Sequence, residues 1–211
     1  MFLSFDGIDG VGKSTQIDLC QMWLHARGAE VVVCRDPGST TIGEAIRELL
    51  LGERGAGMAM TTEMLLYMAA RAQLVEELIR PALAAGKTVI SDRFLLANVV
   101  YQGHAGGLDP ATIWQVGQIA TGGLMPDCTL LLDMPAKGAR ARLNRPLDRL
   151  EARGGEYQAR LRAGFLSEAA RAPERIRVID AAQPAERVAA QVQAAIAALT
   201  QCGSLRERGS G

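Results

Sequence analysis

Five short apolar runs recur along the chain: FLSF at 2–5, VVVC at 31–34, TVIS at 88–91, CTLLL at 128–132 and IRVI at 176–179. Each is of strand length and has the β-branched or bulky apolar character of a buried strand. Between them lie amphipathic segments rich in Ala, Leu and Gln, at 14–27, 41–51, 61–85, 109–122, 135–143, 156–171 and 184–200. Continuous apolar strands separated by helices predict an α/β fold with a parallel sheet covered on both faces. Thr40 and Asp109-Pro110 are expected to cap the helices that follow them. Pro81 interrupts the pattern of 61–85, so a kink or break is expected there. Without repeats, a linker or a shift in composition, residues 1–202 read as one domain. The polar, Gly/Ser-rich end, 203–211, reads as a flexible tail.

Composition narrows the class. A chain of 211 residues, 48% hydrophobic, is long enough for one buried core and too apolar for disorder. Lys+Arg 23 balance Asp+Glu 23, so no bulk attraction to nucleic acid or anionic membrane is expected. Only Lys13, Lys87 and Lys137 of those basic residues are lysines. The rest are arginines, whose planar fork suits phosphate and carboxylate. Cys20, Cys34, Cys128 and Cys202 are too scattered for a zinc site or a disulfide framework. The start, MFLSFDGIDG, lacks a basic n-region, and no apolar run approaches a membrane span. A cytoplasmic protein with reduced thiols is expected.

The clearest chemical signal is Gly7-Ile8-Asp9-Gly10-Val11-Gly12-Lys13-Ser14, followed by Thr15. It matches GxxxxGK[ST], follows the first predicted strand and opens a helix, the context in which this motif binds phosphates. Glycines let backbone N–H groups turn onto phosphate oxygens, and the helix N-terminus adds its dipole. Lys13 can reach the β- and γ-phosphates, and the Ser14 hydroxyl can ligate Mg²⁺. The expected architecture is the P-loop NTPase type: three layers, α/β/α, with a five-stranded parallel sheet, and with a lid at the arginine-rich stretch 142–156. The motif leaves the class of reaction open.

Other segments address the acceptor. Arg35-Asp36-Pro37-Gly38-Ser39-Thr40 follows the second strand, and Asp92-Arg93-Phe94 follows the third, the strand ends where such sheets bind ligands. Asn98 and Tyr101-Gln102-Gly103 come next, while Tyr67 and Arg71 stand four apart on one helix face. No NKxD-type guanine signature is present. With RDPGST, YMAARAQL, DRF and VVYQG following the P-loop in that order, and with PDCTLLLD and IDAAQP further on, the chain resembles the bacterial thymidylate (dTMP) kinases from Phe2 to about Leu199.

The resemblance implies ATP-dependent phosphorylation of dTMP to dTDP in a homodimer. Arg93 and Arg35 would hold the acceptor's 5′-phosphate, with Pro37 beside them. Tyr67 would stack on thymine, Arg71 would donate to a base carbonyl, and Asn98 would read the N3 edge. Asp9 would lie near the sugar 3′-hydroxyl and the transferring phosphoryl, and Tyr101 and Gln102 would close over the nucleoside. Taken alone, Tyr67 reads sooner as core on an apolar helix face, and Arg71 as a solvated or helix-paired arginine. The sequence departs from the family in two places: Leu95, Leu96 and Ala97 supply no hydroxyl, and the P-loop carries no arginine.

Residues 140–162 hold Arg140, Arg142, Arg145, Arg149, Arg153, Arg160 and Arg162. The stretch 142–156, broken by Pro146 and Gly154-Gly155, reads as a lid whose Arg145 or Arg149 would supply the charge absent from the P-loop. Asp92 and Asp133 both end apolar strands and could steady Mg²⁺. The resemblance favours Asp92, and Asp133 could instead cap the next helix. Adenine is expected near Ala181-Ala182-Gln183. His104, in a Gly-rich stretch, reads as a solvated loop residue. A kinase for another acceptor and a nucleotide-switched binding module are the competing readings.

Overall fold

The computed structural model describes residues 1–143 and 154–207. The apolar runs become five parallel strands: β1 (Phe2–Asp6), β2 (Val31–Arg35), β3 (Thr88–Asp92), β4 (Cys128–Asp133) and β5 (Ile176–Asp180). Their order in the sheet is β2-β3-β1-β4-β5. The register pairs Leu3 with Ile90 and with Cys128 across β1. β1 is buried throughout, as β3 and β4 are except at their terminal Asp92 and Asp133, while the edge strands β2 and β5 are partly exposed. Apolar side chains on both faces explain why these strands show no polar alternation.

Helices cover the two faces. α1 (Lys13–His25) and α9 (Ala185–Glu207) pack against each other, and with α8 (Gly155–Arg171) enclose a core around Leu3, Phe5 and Leu130. α9 thus enters the segment read as a tail. On the other side α3 (Met60–Leu74) and α6 (Pro110–Thr121) cover Phe2, Val89 and Phe94. α2 (Thr41–Leu51), α4 (Arg80–Ala84), α5 (Leu95–Asn98) and α7 (Ala136–Ala141) complete the set used below. Thr40 caps α2 through the Gly43 N–H, and Asp109 caps α6 through Ala111 and Thr112.

Pro81 does not break its helix. A wide π turn, Val75–Ile79, joins α3 to α4, with the Arg80 N–H donating to the Val75 carbonyl. Opening the turn by one residue absorbs the mismatch that a proline forces on the carbonyls before it. A second π segment, Val99–His104, continues α5, where the periodicity suggested no helix. Every residue from Leu95 to Gly103 is buried, so no polar face marks the turn, and two adjacent valines lower its helical propensity.

Candidate active site

The C-terminal ends of β1, β2 and β3 open onto one cleft of about 710 Å³. The P-loop forms its floor. Gly7 and Gly10 have φ of +133° and +85°, and a Cβ there would lie 2.4 Å from the Leu132 carbonyl oxygen and 2.1 Å from that of Ala139. Only glycine fits so close to two backbones. Asp9 through Thr15 line the cleft, whereas Gly7 and Ile8 lie beneath it. Lys13 is buried and donates to the Gly7 and Ile8 carbonyls at 3.3 and 3.1 Å, with Asp9 3.5 Å away. Burial, and then the neighbouring Arg93, lower its pKa.

Arg93 is the hub of a set of hydrogen bonds in the cleft. It sits just past β3 with φ of +68°, held by its N–H to the Phe5 carbonyl, and its own carbonyl accepts from Ser91 Oγ. That uncommon conformation turns the side chain back across the P-loop. Its guanidinium donates to the Gly7 carbonyl at 2.9 Å, to Asp9 Oδ1 at 2.5 Å and to the Tyr101 hydroxyl at 3.1 Å. The Tyr101 hydroxyl donates to Asp9 Oδ2 at 3.1 Å, which closes a triangle. Burial alone would raise the Asp9 carboxyl, but Arg93 and Lys13 hold it well below the usual carboxylate range. Burial, with Asp9 alongside, pushes the Tyr101 phenol up, so it stays a neutral donor.

Arg71, expected to face the base, lines the cleft but is almost completely buried. Its Nε donates to Asp36 Oδ2 at 2.5 Å, and its guanidinium lies 5.3 Å from the Phe94 ring. A buried pair of this kind fixes the arginine's direction. Tyr67 is half-buried one turn earlier and lines the same wall, with Asn98, Gln102 and Pro37. Arg35 lines the cleft as well, its guanidinium donating to both carboxylate oxygens of Glu44, at 2.9 and 3.0 Å.

Arg47, on α2, belongs to no motif of the sequence. It lines the cleft and donates to the Pro37 carbonyl at 3.0 Å. Burial and nearby Arg35 lower its pKa, the signature of crowded positive charge. No local pattern marks it: the packing of α2 on α3 and the bond to Pro37, just past β2, set its place at the cleft.

At the other end Ala181, Gln183 and Ala185 line the cleft where adenine was expected, and Arg142 donates to the Ala181 carbonyl at 3.1 Å. Arg145 and Arg149, the lid candidates, lie outside the described residues. Asp133 neither caps α7 nor stands free: it forms two bonds with Arg162, at 2.7 and 2.8 Å. His104 is not a solvated loop residue either, since its Nε2 lies 2.7 Å from Glu168 Oε1 at the end of the π segment.

Ser14 and Asp92 fit a Mg²⁺ that keeps most of its shell as phosphate and water. Ser14 is exposed at the start of α1, and Asp92 Oδ1 is buried without a hydrogen-bond partner among the described residues. Among the described residues no group of three or more His, Cys, Asp or Glu could hold a metal alone. That suits a cation brought in with its nucleotide.

A parallel sheet, a P-loop at its first strand and an arginine-lined wall across the cleft define a P-loop phosphotransferase. The chain belongs to the thymidylate kinase family, which it matches over residues 5–192. It is 48% identical to a thymidylate kinase of Rhodopirellula baltica over 91% of this chain and 78% of that one. It is 43% identical to one of Desulfovibrio desulfuricans, covering 100% and 99%. The crystal structure of thymidylate kinase from Ehrlichia chaffeensis has the same fold, with a TM-score of 0.77 at 30% identity, covering 93% of this chain and 97% of that one.

Proposed function

We infer that this chain transfers the γ-phosphoryl of ATP to the 5′-phosphate of dTMP, giving ADP and dTDP. The observation that carries this reading is the single cleft, in which the P-loop amides and Lys13 face Arg93, Tyr67 and Asn98 across one continuous space. The donor's phosphates lie along the P-loop with Lys13 on the transferring group. Arg93 grips the acceptor phosphate, and Arg47 and Arg35 add charge nearby. Tyr67 stacks on the base, Arg71 meets a carbonyl, Asn98 meets N3, and Tyr101 and Gln102 border the sugar and base. Phosphoryl transfer asks for position and positive charge more than for covalent chemistry, and this wall offers both. The acceptor phosphate is already an anion, so the reaction needs no strong base.

Mg²⁺ would be held by the donor phosphates with Ser14 and Asp92, where it would neutralise developing charge. The lid arginines, Arg145 and Arg149, would complete the shell of positive charge. The protein acts as a homodimer, a reading supported by exposed Leu65 and Ile119 on α3 and α6, which pack together. Its place is the cytoplasm; among the described residues no helix is long and apolar enough to cross a membrane.

The test is ADP release with ATP·Mg²⁺ and a panel of dTMP, dUMP, dCMP, dGMP and thymidine. Turnover greatest with dTMP and trailing with dUMP is expected. Turnover greatest with thymidine or dGMP would discard the base and phosphate assignments, and silence across the panel would discard the transferase.

A further inference from the structure

Behind the base-facing wall lies a chain of hydrogen bonds with a fixed direction. Asn98 Nδ2 donates to Gln102 Oε1 at 2.7 Å, and Gln102 Nε2 donates to Glu63 Oε1 at 2.9 Å. All three residues are buried. Asn98 and Gln102 line the cleft, whereas Glu63, on the first turn of α3, does not. Asn98 Oδ1 is buried and has no hydrogen-bond partner among the described residues.

An amide's oxygen and nitrogen ends are nearly the same size, so shape alone does not decide which end meets a ligand. The partner at the far end of the chain decides. A carboxylate only accepts, so Gln102 must turn its NH₂ toward Glu63. That leaves the Gln102 carbonyl for Asn98, which must turn its own NH₂ toward Gln102. The Asn98 carbonyl oxygen is then the atom left to meet the base. Thymine presents an N–H at N3, whereas cytosine presents a bare nitrogen there that needs a donor.

We propose that Glu63 is a specificity-determining positioning residue: through Gln102 it fixes the direction of the Asn98 amide, so that the site accepts a base with an N3 proton and rejects one without. The proposal rests on the reading in which Asn98 meets N3. Glu63 itself touches no substrate. The rejection is strong because a wrong base leaves two buried acceptors facing each other.

The decisive comparison is between dTMP and 5-methyl-dCMP, which share the methyl group and differ at C4 and N3. Glu63→Gln keeps the shape of the side chain but can present either amide end to Gln102, so the chain loses its direction. In that variant the ratio of kcat/KM for dTMP over 5-methyl-dCMP is expected to fall at least tenfold, mostly through KM. Arg71 continues to favour a carbonyl at C4, so the preference shrinks and does not invert. Glu63→Asp retains a group that only accepts, and is expected to keep the ratio within threefold of the unaltered protein even where both KM values rise.

A purely structural Glu63 would lower thermal stability and raise both KM values together, leaving the ratio unmoved in Glu63→Gln; that result overturns the proposal. Loss of the ratio in Glu63→Asp as well as Glu63→Gln also overturns it, because shape and not direction would then be the cause. Asn98→Ala separates the two levels. If it leaves the KM for dTMP unchanged, the base-site reading falls and takes the role of Glu63 with it. If it raises that KM while Glu63→Gln leaves the ratio intact, only the role of Glu63 is lost.

Discussion

Asp6 ends β1 fully buried, and neither of its carboxylate oxygens has a hydrogen-bond partner among the described residues. Burial pushes its pKa up to about 7, against the pull of Arg93 and Lys13. Asp9, three residues on, is held ionised by the same two cations. The difference lies in contact: Asp9 is hydrogen-bonded to Arg93 and Tyr101, whereas Asp6 feels the charges only at a distance. A folded pKa above the unfolded one means that the native state binds the extra proton between about pH 4 and pH 7. Stability from Asp6 is therefore lost as pH rises through that window, by up to roughly 4 kcal/mol. Asp6→Asn should remove this loss, so its Tm relative to the unaltered protein should climb from pH 4 to pH 8. A difference that stays flat across that range would contradict the assignment. Arg93→Lys tests the other half of the pair, since lysine keeps the charge and loses the fork. Its kcat/KM for dTMP should fall by roughly 10²–10³, on the scale of losing one pre-set donor at a developing charge. Steady-state kinetics at saturating ATP would measure it.

At the scale of elements, the parts that a regular period describes are legible in the sequence. Strand positions follow from the apolar runs, and the P-loop follows from glycines that only one strand–helix junction can use. The π segment Val99–His104 was not legible, because a buried helix lacks a polar face and a π turn shifts the period that would reveal it. The same segment holds Tyr101 on Asp9 and sends His104 to Glu168, so the missed element is one that aims site residues. Arg47 and Glu63 escaped for a related reason: a charged residue on an amphipathic helix reads as solvated until a neighbouring element covers it. Glu168 binds both His104 and, at 3.1 Å, the Trp114 indole N–H, which ties α8 to the π segment and to α6. Gly164 makes that approach possible. A Cβ there would stand 2.7 Å from His104 Cβ and 3.1 Å from Val100 Cγ1. Gly164→Ala should cost about 1–3 kcal/mol by overpacking. It should also raise the KM for dTMP more than that for ATP, because the displaced segment carries Tyr101 and Gln102. A melt and two KM values decide it, and an equal rise in both KM values would show that α8 does not brace the acceptor side.

At the scale of the whole molecule, formal charge is zero, yet the cleft is lined by Lys13 from the P-loop and by Arg35, Arg47 and Arg93. The field that draws a nucleotide is therefore local. Its reach is about one Debye length, roughly 8–10 Å near physiological salt, and it does not sum over the surface as it would for a strongly basic protein. Two of these cations, Lys13 and Arg93, already face Asp9, and Arg35 faces Glu44, so part of the charge is spent before any phosphate arrives. A dianionic acceptor must compete with those carboxylates, and salt should weaken that competition at short range only. Raising NaCl from 50 to 500 mM should increase the KM for dTMP several-fold, since the Debye length shrinks severalfold over that span. Thymidine carries the same base and sugar without the phosphate, so its inhibition constant against dTMP should change less than twofold. Competitive inhibition measured across the salt series separates the two. If thymidine weakens in parallel with dTMP, the salt acts on the base pocket or on the fold, and the cation cluster is not what holds the acceptor. If dTMP alone weakens, Arg47→Ala should flatten its salt dependence, because removing one of the four cations removes part of the screened attraction.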